Sequence, residues 1–173
     1  KPYRNRSLDS AIRKHRTIHE AKFISDAKSA GVLSPFIYFV DPVNAEIIME
    51  FIEGRNVRET VTPALCSRIG RYAGMLHAVN IIHGDLTTSN FIVNRNRLVI
   101  IDFGLAFYSE RTEDAATDVR LIKAVFASAH VKVTHAFDHF IAGYSNVLGE
   151  KKTKMVLRNV AEIEQRGRYA RVT

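Results

Sequence analysis

Cysteine is nearly absent. Cys66 stands alone, so no disulfide can close within the chain, and a reducing cytoplasmic interior is the expected compartment. No apolar run reaches the roughly 20 residues that a membrane helix needs. No charged-then-apolar leader opens the chain, which starts Lys1-Pro2-Tyr3-Arg4. A soluble protein with no membrane partner is expected. A zinc set is missing too: of His130, His135 and His139, only the last two have one-turn helical spacing, and no cysteine or carboxylate pattern completes four ligands. Ordinary histidines and no zinc are expected there. With 46% apolar side chains, 173 residues suffice for one substantial core and are short for two.

Acidic residues are scarce at both ends. Residues 1–22 set seven Lys and Arg against two acids, and residues 151–173 do the same, so each end carries +5. The total of +7 therefore leaves −3 for the middle. Clustered Lys and Arg are the footprint of phosphate-backbone binding, with solvated helix faces as the plainer alternative.

One stretch has side chains spaced for a reaction. Ile81-Ile82-His83-Gly84-Asp85-Leu86-Thr87-Thr88-Ser89-Asn90 is followed by an apolar run and then by Ile101-Asp102-Phe103-Gly104. Asp85 and Asn90 are close enough for a tight loop to turn both toward one point. The runs 91–94 and 98–101 can pair through a turn at Arg95-Asn96-Arg97, which brings Asp102 back beside that loop. Phosphoryl transfer needs an acceptor hydroxyl positioned and Mg²⁺ held against phosphates; Asp85 suits the first task, Asn90 with Asp102 the second. A loop whose polar groups only satisfy local backbone is the alternative.

The rest of the chain is read around that loop. Ser7-Leu8-Asp9 can open a helix, and Phe23, Ile24, Ala27 and Ala30 form a second stripe on a rotated face, so two helices or one bent helix precede a stop at Gly31. Glu20 is in register with that second stripe and is expected to point inward, with a surface ion pair on a basic helix as the alternative. Residues 36–40 and 47–52 form a hairpin across Asp41-Pro42-Val43-Asn44. Residues 55–60 and 64–79 are expected to be helical, the second with Pro63 at its start and Ile69, Ala73, Leu76 and Val79 buried. Thr112-Glu113-Asp114 opens a helix containing Asp118, with Val119, Ile122, Val125 and Phe126 on its apolar face. Phe137, Phe140, Ile141 and Tyr144 face the core from a further helix that Gly149 closes, and a last helix runs over 151–165.

His83-Gly84-Asp85 with Asn90, and Asp102-Phe103-Gly104, resemble the catalytic loop and metal-binding motif of the protein kinases. Gly84 stands where regulated kinases carry an Arg that pairs with a phosphorylated activation loop, and no Ala-Pro-Glu follows, so no such switch is expected. By the same resemblance Glu20 pairs with a strand Lys that holds ATP phosphates. Backbone groups of Glu50 and Ile52, beside Glu53-Gly54, become the adenine-binding hinge. His83 and Asp118 become structural supports of the catalytic loop.

From Tyr3-Arg4 to Arg166-Gly167-Arg168 the chain is more specifically similar to the small atypical kinase subunit of the KEOPS tRNA-modification complex. The match rests on Arg16-Thr17 with Glu20-Ala21, Met49-Glu50 with Glu53-Gly54, the two motifs above, Glu113-Asp114 with Asp118, and the Arg-Gly-Arg tail. The resemblance implies an α+β, protein-kinase-like bilobal fold of one domain. Residues 1–53 are the remainder of a truncated N-terminal lobe, and residues 54–173 are a mainly helical C-terminal lobe. It implies an ATPase and serine/threonine kinase using ATP and Mg²⁺ in tRNA threonylcarbamoylation. Its partners are other KEOPS subunits, chiefly the tRNA-modifying subunit of ATPase fold, and tRNA, the last through Arg166, Arg168 and Arg171.

The Gly-rich loop and strand Lys of the family fall upstream of Lys1. Thr87, where conventional kinases carry Lys, fits the family and disfavours ordinary protein-substrate catalysis. Small-molecule phosphotransferases of the aminoglycoside and choline kinase type share His-Gly-Asp, but they need a larger C-terminal substrate region. A non-catalytic scaffold is the remaining alternative.

Overall fold

A computed structural model describes residues 6–169, with side chains for 8–166. The expected Ser7 cap and the side chains of Arg168 and Arg171 lie outside the described residues.

Helix α1 (Arg6–Ser29) is one continuous helix, and it carries both of the apolar faces read from the sequence. The second face alone enters the core: Phe23, Ile24 and Ala27 are buried, whereas Leu8 is exposed. The stop is a Schellman turn. Gly31 takes φ +84°, its N–H donates to Lys28 O, and the Val32 N–H reaches Ala27 O, both at 3.0 Å.

Strands β1 (Ile37–Asp41) and β2 (Glu46–Met49) form the expected antiparallel hairpin. Asp41 organises the turn, with Oδ1 accepting the N–H groups of Val43 at 2.8 Å and Asn44 at 3.1 Å. β2 ends at Met49, short of the expected Ile52.

The helix expected over 55–60 does not form. Arg55–Asn56 is a short strand, β3, followed by a 3₁₀ turn over Val57–Glu59. The Asn56 side chain accepts the Arg58 N–H at 2.9 Å, the local competition that makes Asn a capping residue rather than a helix former.

Helix α2 (Pro63–Ala78) starts where Thr62 Oγ1 accepts the Leu65 N–H at 3.2 Å, with Pro63 in the first turn. Ile69, Ala73 and Leu76 are buried as expected; Val79 is exposed because the helix has already ended at it.

Strand β4 (Ile81–Ile82) leads into the motif loop. Strands β5 (Phe91–Asn94) and β6 (Arg97–Ile100) form the second expected hairpin, with β3 on the outer side of β5. Strand β7 (Phe107–Tyr108) returns antiparallel to β4, and helix α3 (Thr112–Ala129) follows at once, leaving no long segment between. The final run, α4 (Ala136–Tyr169), breaks at Gly149, where φ is +79° and ψ 159°.

Two glycines let α2 and α4 cross closely. A Cβ on Gly70 would collide with Phe140 O, and one on Gly143 with Ser67 O. The buried cluster joins α1, α2, α3 and α4 to the β5–β6 hairpin. Among the described residues, no helix is long and apolar enough to cross a membrane.

Candidate active site

The motif loop hangs from α3. Asp118, 1% exposed, accepts the N–H of His83 on Oδ2 at 2.7 Å and that of Gly84 on Oδ1 at 2.9 Å. Asp118 is a buried carboxylate that satisfies two amides at the start of the loop. His83 is fully buried. Its Nδ1 accepts the Asp85 N–H at 3.3 Å, its ring lies 5.1 Å from that of Phe103, and its Nε2 has no hydrogen-bond partner. Burial pushes the His83 pKa down, against the pull of the Asp118, Asp85 and Asp102 carboxylates, so the ring is neutral at physiological pH.

Gly84 has a structural reason of its own. Its φ is +79°, and a Cβ there would collide with Leu105 O. An arginine at this position would meet both obstacles.

The β5–β6 hairpin brings Asn90 and Asp102 together. Its two ends are tied where the Ile101 N–H donates to Asn90 O at 2.8 Å. Asn90 Nδ2 donates to Asp85 O at 2.8 Å and to Asp85 Oδ2 at 3.0 Å, which aligns Asp85 and leaves Asn90 Oδ1 as an acceptor. Asp102 sits in the left-handed region at φ +63°, a conformation tolerated by Asp and concentrated at functional sites. Its Oδ1 accepts the Gly104 N–H at 3.1 Å, while Phe103 behind it is fully buried.

Glu20 reaches the same place from α1. Its pKa is raised, first by burial and then by the charge of Asp102. A Cβ built on Gly104 would lie 3.3 Å from Asp102 Oδ1 and 4.0 Å from Glu20 Oε2, so the two carboxylates flank one glycine. The Asp102 carboxylate and the Asn90 amide oxygen are oxygen donors of the kind that suits a hard cation such as Mg²⁺.

The hinge residues are only partly available. The Glu50 N–H donates to Phe36 O at 2.7 Å, and the Glu50 carboxylate accepts the Phe36 N–H at 3.1 Å. That leaves the Glu50 carbonyl and the Ile52 backbone as adenine candidates. Arg166 donates to Glu113 Oε1 on α3 at 2.9 Å. Two of the three histidines weighed as zinc ligands have other work: His130 bonds Thr88 at 2.9 Å and His135 bonds Asp138 at 2.8 Å.

Sequence reasoning missed three supports. His77 Nε2 donates to Asp118 Oδ2 at 3.2 Å while its Nδ1 accepts from Tyr144 OH at 2.7 Å, so α2 and α4 both steady the carboxylate beneath the loop. Asn56 Nδ2 donates to Ser89 O at 2.6 Å. No motif marks these residues; only helix periodicity signalled Tyr144, and it signalled core.

A family model described as RIO domain matches residues 4–139. The chain is 38% identical over 177 residues to the KEOPS complex subunit Bud32 of Pyrococcus abyssi, covering 98% of this chain and 80% of that protein. It is 41% identical over 170 residues to the probable bifunctional tRNA threonylcarbamoyladenosine biosynthesis protein of Methanobrevibacter smithii, covering 98% of this chain but 31% of that one. The chain thus spans about a third of the length of the bifunctional relatives it matches.

Two solved structures share the fold. The Rio2 kinase-ADP/Mg²⁺-phosphoaspartate complex from Chaetomium thermophilum aligns with TM-score 0.66 at 17% identity, over 96% of this chain and 58% of that one. WaaP in complex with acyl carrier protein aligns with TM-score 0.64 at 16% identity, over 88% and 76%. The helical C-terminal lobe, the small sheets and the matched residues are those of the RIO-domain family of atypical kinases, to which this chain belongs. Within that family it falls among the relatives of the KEOPS subunit Bud32.

Proposed function

We propose that this chain is an ATP- and Mg²⁺-dependent atypical serine/threonine kinase and ATPase that supports tRNA threonylcarbamoylation within a KEOPS-type assembly. In this reading residues 1–53 belong to an N-terminal lobe and residues 54–173 form the helical C-terminal lobe. Its partners are other KEOPS subunits, chiefly the tRNA-modifying subunit of ATPase fold, together with tRNA, and its setting is the cytoplasm.

The observation that carries the reading is the convergence of Asp85, Asn90 and Asp102, with Glu20 beside Asp102. The Asn90 amide holds the Asp85 carboxylate in one orientation, aimed to accept a proton from, or to orient, an attacking hydroxyl or water. Asn90 Oδ1 and the Asp102 carboxylate would hold Mg²⁺, which when bound would supply neutralisation of charge on the phosphate oxygens. Glu20 lies beside Asp102 and, by the kinase resemblance, would pair with the family's strand Lys, which would offset the repulsion between the two acids. The Glu50 carbonyl and the Ile52 N–H receive the adenine edge. The names of the relatives, which carry KEOPS and tRNA threonylcarbamoyladenosine, support the setting.

The test is ATP turnover by the intact protein carrying Asp102→Ala or Asp85→Ala. Each substitution is expected to abolish turnover while melting temperature stays near the parent's. Turnover by Asp102→Ala close to the parent's would sink the metal assignment and with it the reading.

A further inference from the structure

Charge summed along the chain puts the basic residues at the two ends, yet the fold gathers a third group from the acidic middle. β3 pairs with β5 so that Arg55 lies opposite Val93, and Arg95 and Arg97 flank the β5–β6 turn. These three arginines line one open cleft of about 830 Å³ together with Glu53, Thr60 and Asn96. From α2, Arg68 donates to Asn96 O at 2.8 Å. Arg71 is one turn further along the same helix. Burial raises the Tyr72 pKa, and the charges of Arg68, Arg71 and Arg97 oppose it, so these three approach the same phenol.

Among the described residues none of these five arginines takes part in an ion pair, and Glu53 is the only acid lining the cleft.

Guanidinium groups match phosphate oxygens in a planar, two-pronged geometry. Arg68 and Arg71 carry the charge beyond the cleft along α2, which makes a strip rather than a pocket for one small anion. Val93 is the only large apolar side chain in the lining, whereas the centre of a protein interface is enriched in aromatic and apolar anchors. A chain of phosphates fits such a strip better than an acidic protein does.

We propose that this cleft is an RNA-backbone site, in which Arg55, Arg95 and Arg97 hold successive tRNA phosphates, and Arg68 and Arg71 extend the track. The proposal rests on the tRNA reading above, adding a second surface distinct from the tail.

The experiment titrates fluorescein-labelled tRNA into the intact protein at several salt concentrations, comparing the parent with an Arg55→Ala, Arg95→Ala, Arg97→Ala triple variant. With three phosphates left unneutralised, the slope of log affinity against log salt should become shallower by about 2 to 3, and affinity at low salt should fall on the order of tenfold or more. Lys132→Ala, at an exposed lysine outside both basic ends and the cleft, is the control and should change neither.

Melting temperature and ATP turnover without tRNA report on the fold. If the triple variant does not fold, Arg95→Ala with Arg97→Ala in the exposed turn is measured in the same way, with a slope change of about 1.5 expected. A parent that binds no tRNA at any salt overturns the tRNA reading itself. A parent that binds, with a folded variant matching its affinity and slope, overturns the arginine site alone. Weakened binding of an acidic protein partner with tRNA binding intact also overturns it, and marks the cleft as a protein-docking surface.

Discussion

Asp118, on α3, accepts the backbone N–H of His83 at 2.7 Å across 35 residues of sequence. The motif loop is therefore hung from a helix that follows it in the chain.

Replacing Asp118 by Ala leaves the amides of His83 and Gly84, and the Nε2 of His77, without their acceptor in a dry interior. Stability should fall by about 2–5 kcal/mol, measured as a shift of the denaturant midpoint at constant m-value. Asp118→Asn retains one acceptor oxygen and should cost less. An Ala variant as stable as the parent would show that the brace contributes nothing.

Glu20 carries a pKa raised above its ordinary 4.5 by burial and then by Asp102. A raised carboxyl pKa in the folded state means that the associated stability is fully present below the unfolded value and is lost as pH rises through the folded value. Gln cannot ionise. Without Mg²⁺ or nucleotide, Glu20→Gln should therefore melt above the parent at pH 7 and level with it near pH 4. A gap that is widest at pH 4 would reverse the sign and discard the electrostatic account.

Gly143→Ala drives a methyl group into Ser67 O at the α2–α4 crossing. The helices must part or shift, at a cost of about 1–3 kcal/mol, which lowers the melting temperature by several degrees. Because His77 and Tyr144 span the same crossing, ATP turnover should fall as well. Gly149→Ala meets no neighbour and is penalised only by its positive φ, so a larger loss there than at Gly143 would contradict this packing.

The tail is expected to add to tRNA affinity separately from the arginine cleft. Arg166→Ala, Arg168→Ala and Arg171→Ala together should weaken tRNA binding and make the salt slope shallower by about 0.7–0.9 for each phosphate no longer neutralised. ATP turnover without tRNA should barely change. Arg166 already pairs with Glu113, an exposed ion pair worth about 1 kcal/mol or less, so its release toward phosphate is nearly free. Unchanged affinity and slope would reduce the tail to a solvated surface.

What the sequence determined by itself was local. Hydrophobic period and turn residues located both hairpins, helix α2 with Pro63 at its start, and the stop at Gly31. The spacing within His83–Asn90 and the strand pair leading to Asp102 were enough to bring three site residues to one point. Glu20 was legible because its register with Phe23 and Ile24 turned it inward.

Other features depended on groups distant in the chain, and no local pattern could report them. Residues 55–60 followed a strand and a 3₁₀ turn because Asn56 had Arg58 and Ser89 to bond and β5 to lie beside. Gly84 is required by Leu105 O, and the Glu50 amide is consumed by Phe36 O. His77 acts only because α2 passes beside Asp118 on α3 and Tyr144 on α4. The arginine cleft shows the limit most plainly. Arg55, Arg95 and Arg97 lie in a stretch whose summed charge is negative, and charge summed along the chain ignores which side chains share a surface. Electrostatic potential depends on distance through space, which is set by the β3–β5–β6 register and was fixed only on folding.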